Sequence, residues 1–338
     1  MLTRDKQRAG GSVLLLAIIL AVVMFLSCLI GRYQLSPEKI FLILKGTPDR
    51  AMDRTVLLNV RLPRMLTSAV CGASLALAGF IYQELFRNPL ASPDVLGVGG
   101  GASVGAIIAI LSGSASLVVR QASAFAGGLV IVVLSLLLAS AIKGDRHLNL
   151  IISGMIFSAV SRSCIMAMKY MADPEHQLAV IDYWLMGSYS LAGWDELLSI
   201  LPWLVIAMTV LLLLRYQIKV LTLGDDDALS LGIPVRRIRV TAILAATVLV
   251  SASVSISGLV SWIGLIVPHS IRILFGRDFN RNMWQSLLGG AILVTVADTA
   301  ARSITTAELP ISILTTAFGA LCLMIFLLRK RGFYDRTK

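Results

Sequence analysis

The stretch Asn88-Pro89-Leu90-Ala91-Ser92-Pro93-Asp94-Val95-Leu96-Gly97 is a polar turn, interrupted by two prolines, between two long apolar runs. A second proline interruption follows at Val267-Pro268-His269, and a glycine stands ten residues before Pro89 and before Pro268. These two prolines are 179 residues apart in a chain of 338, which predicts an internal repeat. Irregular backbone at membrane depth is tolerated only where protein or water satisfies it, so paired interruptions indicate a transport pathway.

The composition is that of a membrane protein, with 57% apolar and 14% charged residues. A helix needs about 20 apolar residues to cross a bilayer. We therefore expect an all-α integral membrane protein with ten membrane-spanning helices in one domain, residues 1–338. The first apolar run is long and lacks an Ala-x-Ala cleavage site, so we interpret it as a retained anchor. The predicted spans are 12–31, 66–86, 95–112, 122–142, 148–171, 197–214, 240–256, 263–275, 284–301 and 311–328.

Membrane topology explains the net charge of +11 through the distribution of the basic residues along the chain, so this charge does not indicate a nucleic-acid partner. With the N-terminus inside, 19 of the 30 lysines and arginines fall in cytoplasmic segments, as the positive-inside rule requires. An even number of spans then places both termini in the cytoplasm. The predicted half repeats, about 61–171 and 239–330, cross the membrane in opposite directions, so the repeat is inverted.

The sequence offers little for catalysis or metal binding. Its four cysteines lie in apolar runs and its three histidines are far apart, so we expect no metal ligated by this chain. A hydrolase would have only Ser257 and His269 as nucleophile and base, without a Gly-x-Ser-x-Gly elbow. No P-loop sequence occurs, so any ATP must be bound by another polypeptide. We predict no catalytic residue and no bound cofactor.

Two features inside the spans have alternative explanations. Gly97, Gly101 and Gly105 are four residues apart, a spacing that favours close helix packing over a dinucleotide fingerprint. Arg162 lies about 21 Å into its span, at 1.5 Å per residue. It could face a wet pathway and bind anionic cargo, or it could pair with backbone carbonyls or snorkel outward. The sequence leaves both roles of Arg162 open.

Four motifs in order carry a family resemblance. The segments 61–64 (Arg-Leu-Pro-Arg), 88–97, 264–269 (Gly-Leu-Ile-Val-Pro-His) and 308–311 (Glu-Leu-Pro-Ile) resemble the signatures of FecCD-type permeases. These are the membrane subunits of binding-protein-dependent ABC importers for iron–siderophore complexes, haem and vitamin B12. The similarity runs from about residue 12 to 330. Ser261-Trp262 departs from the pattern, since the family more often has Gly-Phe there.

The resemblance implies the type II ABC importer permease fold in the inner membrane of a bacterial or archaeal cell. It implies a homodimer, with a heterodimer left open, two ABC ATPase subunits that hold ATP and Mg²⁺, and an extracytoplasmic solute-binding protein. The chain would be a transport subunit without enzymatic activity. The cargo could be a siderophore, haem, cobalamin or an oxyanion such as molybdate. The alternative is an ion-coupled secondary transporter with inverted repeats, which would need more buried ionisable residues than this chain has.

The resemblance also assigns two pathway regions. At the outer face, Arg61, Arg64 and Arg302 match positions that meet acidic residues of the binding protein. By the resemblance, Leu90, His147 and Leu148 lie at a cytoplasmic constriction, and Asn88 and Pro89 form the turn that carries Leu90. Arg162 is added to the expected pathway residues because of its place inside a span, not from the resemblance.

The polar loop 223–239 is the predicted coupling segment. Asp226-Asp227-Ala228, followed four residues later by Gly232, resembles the Glu-Ala-Ala-x-x-x-Gly pattern of coupling helices, with Asp in place of Glu. Carboxylates suit the first turn of such a helix, and glycine permits a left-handed cap at its end. The expected coupling residues are Asp225, Asp226, Asp227, Ala228, Leu231 and Gly232.

Overall fold

The computed structural model describes residues 2–45, 51–113 and 116–334, and these residues are almost entirely helical. No β-strand occurs within those ranges. A π-helical turn, Val56–Arg61, and a 3-10 turn, Pro93–Leu96, interrupt the series. The α-helices are α1 (Leu2–Leu29), α2 (Pro37–Leu44), α3 (Ala51–Thr55), α4 (Leu62–Leu85), α5 (Val98–Leu111), α6 (Leu117–Ala141), α7 (Arg146–Met171), α8 (Leu178–Met186), α9 (Trp194–Leu213), α10 (Arg215–Leu221), α11 (Asp225–Ser230), α12 (Val235–Ser257), α13 (Ile263–Phe275), α14 (Phe279–Ala301) and α15 (Ile311–Tyr334).

Each of the ten predicted spans coincides with a helix. Within the described ranges, six segments are long and apolar enough to cross a membrane, and they overlap α1, α4, α6, α7, α9 and α12. The helices α5, α13 and α15 have shorter apolar stretches, and α14 is long enough but more polar. The all-α membrane fold is therefore confirmed, whereas the count of ten spans stays a prediction.

Helix α4 forms the centre of the molecule. Its spanning segment is 89% buried, against 11% for α1. Lipid tails are as apolar as leucine, so membrane helices associate through close packing of small residues. A Cβ atom at Gly79 would lie 1.9 Å from the carbonyl oxygen of Gly264 in α13. At Gly72 it would lie 2.3 Å from the carbonyl oxygen of Gly290 in α14. Glycines therefore set how closely α4 packs against both helices.

The glycine spacing in α5 has the predicted structural role. A Cβ atom at Gly101 would lie 2.5 Å from the carbonyl oxygen of Gly127, and one at Gly105 would lie 2.0 Å from that of Ser123. Both contacts are with the backbone of α6. Helix packing therefore explains Gly101 and Gly105. Gly97 has a different role, because it ends the 3-10 turn with φ 78°.

The two proline interruptions have different local structures. Pro89 lies in a turn after α4, whereas Pro268 lies inside α13 and does not end it. Proline lacks the N–H that would bond to the carbonyl four residues earlier, here Gly264. Nε2 of Gln83, in α4, donates to that oxygen over 3.2 Å. Gly258, by contrast with Gly79, ends a helix with φ 66°. The division into half repeats stays a prediction.

Candidate functional site

The predicted coupling segment contains a short helix with the expected cap. Helix α11 carries Asp225, Asp226 and Asp227 in its first turn. At its end the N–H of Gly232 donates to the Leu229 carbonyl and the N–H of Ile233 donates to the Ala228 carbonyl. This pair of bonds is a Schellman motif, and Gly232 has the left-handed φ of 76° that the motif requires. The predicted helix and its glycine cap are confirmed, while the coupling role stays a prediction.

Helix α11 is fixed to the transmembrane core at its N-terminus. Oδ1 of Asp225 accepts from Nη2 of Arg87 at 2.9 Å and from Nη2 of Arg239 at 2.7 Å. Arg87 follows α4, and Arg239 lies in the first turns of α12, so one carboxylate joins three segments. The Arg239 side chain is buried in this ion pair and does not reach the lipid headgroups. Ala228 is fully buried and packs into the core.

The opposite side of α11 is exposed and partly apolar. Leu229 and Leu231 are 59% and 62% exposed, and Leu223 before the helix is 66% exposed. Asp226, Asp227 and Gly232 are also exposed. Large apolar side chains on a polar loop are typical of a surface that a partner covers. The segment thus has a buried anchor and a free apolar surface.

Asn88 stabilises the proline turn that follows α4. Oδ1 of Asn88 accepts from the N–H of Leu90 at 3.0 Å, and the Asn88 carbonyl accepts from the N–H of Ala91. The Leu90 side chain projects away and is exposed. Leu148, near the start of α7, is also exposed, and its N–H donates to Oδ1 of Asp145.

Pro89 and His147, two further residues of the predicted gate, are adjacent to Leu90 and Leu148 in the sequence. Pro89 is exposed in the same turn. The side chain of His147 lies outside the described part of the structure. Leu90 and Leu148 are 52% and 55% exposed, and the gate stays a prediction.

Arg64 is held between two carboxylates at the predicted outer face. Its Nε and Nη2 donate to Asp298 at 2.9–3.1 Å, and its Nη1 donates to both carboxylate oxygens of Glu308 at 3.0 Å. Arg64 is 8% exposed and Asp298 is 2% exposed. A charge so deeply buried is stable only when it is paired and hydrogen-bonded. Arg64 therefore links α4, α14 and the segment before α15.

The two other arginines of the predicted dock are also buried. Arg61 donates to the backbone carbonyls of Cys28, Leu29 and Tyr33 at the end of α1. Arg302 donates to the Ser27 carbonyl and to the Ser27 hydroxyl, the latter at 2.9 Å. Burial lowers the pKa of the Arg302 guanidinium, although the Asp298 carboxylate opposes this shift. All three guanidinium groups bind this chain's own oxygens, so direct contact with a partner would require those bonds to change.

Arg162 lies on the surface of α7. Its side chain is exposed, and its Nε donates to the Ser158 carbonyl of the same helix at 3.3 Å. It forms no ion pair within the described residues. Pairing with a backbone carbonyl matches the second of the two alternatives, and the pathway role of Arg162 stays a prediction. Over the described ranges, no group of three or more His, Cys, Asp or Glu side chains is placed to hold a metal ion.

Comparison with known proteins decides the family. The profile of the FecCD transport family matches residues 19–330. The chain belongs to the FecCD transport family. It is 35% identical to the molybdate import system permease protein MolB of Haemophilus influenzae over 90% of this chain and 91% of that one. It is 36% identical to the Fe(3+)-citrate import system permease protein YfmE of Bacillus subtilis over 94% of this chain and 95% of that one.

A solved structure supports the same assignment. A transporter described as metal-chelate type, in an inward-facing conformation, superposes with a TM-score of 0.86 at 33% identity, covering 94% of this chain and 98% of that one. The chain is therefore a multi-pass membrane permease of the FecCD family and a transport subunit. The family assignment supports the importer interpretation over the ion-coupled secondary transporter.

Several residues that shape the site were not predicted from the sequence. Asp298 and Glu308 hold Arg64 but lie 234 and 244 residues away from it in the chain. Arg87 is one of many basic residues at helix ends, and its bond to Asp225 spans 138 residues. Its positive φ of 48° is likewise invisible in the sequence. The Glu-Leu-Pro-Ile motif at 308–311 marked the region of Glu308 without revealing the partner.

Proposed function

We propose that this FecCD permease is the membrane-spanning subunit of a binding-protein-dependent ABC importer that moves a metal chelate of the iron–siderophore, haem or cobalamin type into the cytoplasm. The observation that carries the proposal is helix α11. Its base is fixed to α4 and α12 through Asp225, while Leu229 and Leu231 are exposed. A short helix of this kind can enter a cleft on an ATPase and move with it as a rigid body.

We infer that two ABC ATPase subunits bind ATP and Mg²⁺ and dock on α11. A second copy of this chain would complete the pathway, in an inner membrane with both termini in the cytoplasm. The exposed apolar surface of α7 supports this pairing, since Met155, Met166 and Tyr170 are 61%, 65% and 92% exposed. Such a face is covered either by lipid or by a partner helix, and α7 also carries the charged Arg162, which lipid disfavours.

At the cytoplasmic end, we propose that Leu90 and Leu148 narrow the pathway between the two copies. Both side chains are apolar and exposed, and a ring of apolar side chains can close a pore by excluding water. The turn formed by Asn88 and Pro89 fixes the position of Leu90. His147 precedes Leu148 and belongs to the same proposed constriction.

At the outer end, we propose that the binding protein docks above Arg61, Arg64 and Arg302. These three cations exceed the two carboxylates, Asp298 and Glu308, that neighbour them. The excess positive charge would steer acidic groups of the binding protein to this face. Of the two carboxylates Glu308 is the more exposed, so it is the one that a partner carboxylate could replace on Arg64.

Assembly tests the proposal. The full-length permease is co-expressed with ABC ATPase subunits of the same organism, and the mass of the purified complex is measured by native mass spectrometry. We expect two permease copies with two ATPase copies, and loss of the ATPase after Leu229→Arg, with Val118→Arg at the exposed outer start of α6 as the matched control. A permease that binds no ATPase and transports only with an ion gradient would contradict the proposal.

A further inference from the structure

A cavity of about 230 Å³ opens between the 3-10 turn before α5 and the segment that joins α12 to α13. One wall is the 3-10 turn with Ser92 and Asp94, and the other is the segment that joins α12 to α13, with Ser261 and Trp262. Valines of α12 and Leu75 of α4 complete it. The cavity thus lies among the central helices and combines a carboxylate, two hydroxyl groups and an indole.

The carboxylate of Asp94 has no cationic partner among the described residues. Asp94 is exposed to the cavity and belongs to none of the ion pairs of the described ranges. The basic residue on the adjoining turn of α7 is Arg162, whose Nε instead donates to the Ser158 carbonyl. A charged group between membrane-spanning helices is costly and normally has a partner or a ligand. The α5 backbone near Gly99 lies beside Oδ1 of Asp94 and supplies only a partial positive charge.

Trp262 is held at the cavity by a backbone conformation that aromatic residues rarely adopt. Its φ is 74°, in the left-handed region. Its side chain lies against α15, where a Cβ atom at Gly319 would lie 2.8 Å from the Trp262 Cβ. The Trp262 indole N–H forms no hydrogen bond with any described residue. Such strain persists where the surrounding structure fixes it, often beside a ligand.

We propose that this cavity binds an organic cation, with an ammonium group between the Asp94 carboxylate and the Trp262 indole. A carboxylate supplies the counter-charge, and an indole face attracts cations through its quadrupole. The volume suits an aliphatic ammonium arm with a few waters, since one water takes about 30 Å³ of liquid. The same carboxylate repels a bare oxyanion.

This assignment has a consequence for the cargo, and that consequence rests on the proposed function. If the cavity is on the import route, the transported chelate carries an amine or ammonium arm. An oxyanion such as molybdate would meet a repulsive carboxylate in the same place. The binding of a cation to the cavity does not itself depend on what the permease transports.

The binding claim is tested with the full-length permease in nanodiscs, labelled with 5-fluorotryptophan. The chain has five tryptophans, and Trp262→Phe identifies the resonance of Trp262. We expect propylammonium to shift this resonance saturably, and sodium propionate and propanol to leave it unchanged. Asp94→Asn should weaken propylammonium binding at least tenfold, whereas Asp173→Asn, in an exposed loop, should bind as the wild type does.

A linear response to propylammonium, an equal response to propionate, or unchanged affinity in Asp94→Asn would overturn the site. If Asp94→Asn does not fold, the wild-type comparison of propylammonium with propionate still decides. Uptake of an amine-bearing ferric chelate is then compared with that of its N-acetylated form. Faster uptake of the amine form places the site on the route, and equal uptake removes it from the route. Uptake of neither chelate contradicts the proposed function and leaves the binding result standing.

Discussion

Nη2 of Arg87 lies 2.9 Å from Oδ1 of Asp225, and this contact joins the end of α4 to the exposed helix α11. Arg87 immediately precedes the proline turn that carries Leu90. We propose that a displacement of α11 reaches the gate through this ion pair and three residues of backbone. The pair is about one-third exposed on both sides, so it connects the two segments more than it stabilises the fold.

Arg87→Gln should reduce transport strongly while leaving the protein folded. A half-exposed ion pair contributes at most about 1 kcal/mol to stability, so the midpoint of thermal unfolding should change little. Transport and ATPase activity are measured in the same proteoliposomes, and ATP hydrolysis per transported molecule should rise. Arg236→Gln, an exposed arginine on the same side, is the control. Unchanged coupling in Arg87→Gln would exclude this connection.

Gly232→Val should abolish transport, because valine at φ 76° costs about 1–2 kcal/mol and opens the Schellman cap of α11. Gly113 offers a matched control at the other end of the bundle. Its φ is 73°, and at both positions an added Cβ would meet open space. Gly113→Val should carry the same backbone strain and retain transport. An equal loss of transport in both variants would show that backbone strain alone causes the loss.

Gln83 and Pro268 should show coupled effects on stability. Gln83→Met removes the donor to the Gly264 carbonyl, and an unsatisfied buried carbonyl costs about 1–3 kcal/mol. Pro268→Ala supplies a backbone N–H for the same oxygen. The double variant should therefore be more stable than the sum of the two single effects, as measured by thermal unfolding in one detergent. Additive effects would show that Gln83 does not compensate for Pro268.

Asp298→Ala should destabilise the permease by about 3–5 kcal/mol, because it removes the buried one of the two carboxylates that pair with the Arg64 guanidinium. Glu308→Gln should have a much smaller effect, since Glu308 is more exposed. If Arg64 takes part in docking, Glu308→Gln should also tighten binding of the loaded binding protein, measured by surface plasmon resonance. Equal destabilisation by both variants would contradict this ranking. Arg61, Arg64 and Arg302 are buried, so a variant with all three changed to Glu must first be shown to fold before its docking is measured.

Local chemistry made part of this structure predictable. The short helix α11 and its cap depend on contacts within eight residues, from the aspartates of its first turn to Gly232 after its end. The structure contains that helix. Span positions were predictable because apolar runs of membrane length have few alternatives. The glycine spacing in α5 likewise indicated the close contact with α6.

Long-range pairing was not predictable. From the sequence, Arg61, Arg64 and Arg302 were interpreted as surface cations. The oxygens that accept their hydrogen bonds lie near the end of α1, on α14 and before α15, which the sequence alone does not bring together. Prolines placed alike in the sequence differed in structure, because Gln83 satisfies the carbonyl that Pro268 leaves free. A single sequence states which groups need partners and does not state which distant residue supplies them.

Uptake by reconstituted vesicles distinguishes an ATP-driven importer from an ion-coupled transporter. The permease, its ATPase subunits and the loaded binding protein are combined in proteoliposomes, and a radioactive iron chelate is followed with ATP inside or with a proton or sodium gradient alone. We predict accumulation that requires ATP and the binding protein and that stops in Gly232→Val. Accumulation that an ion gradient drives without ATP would contradict it.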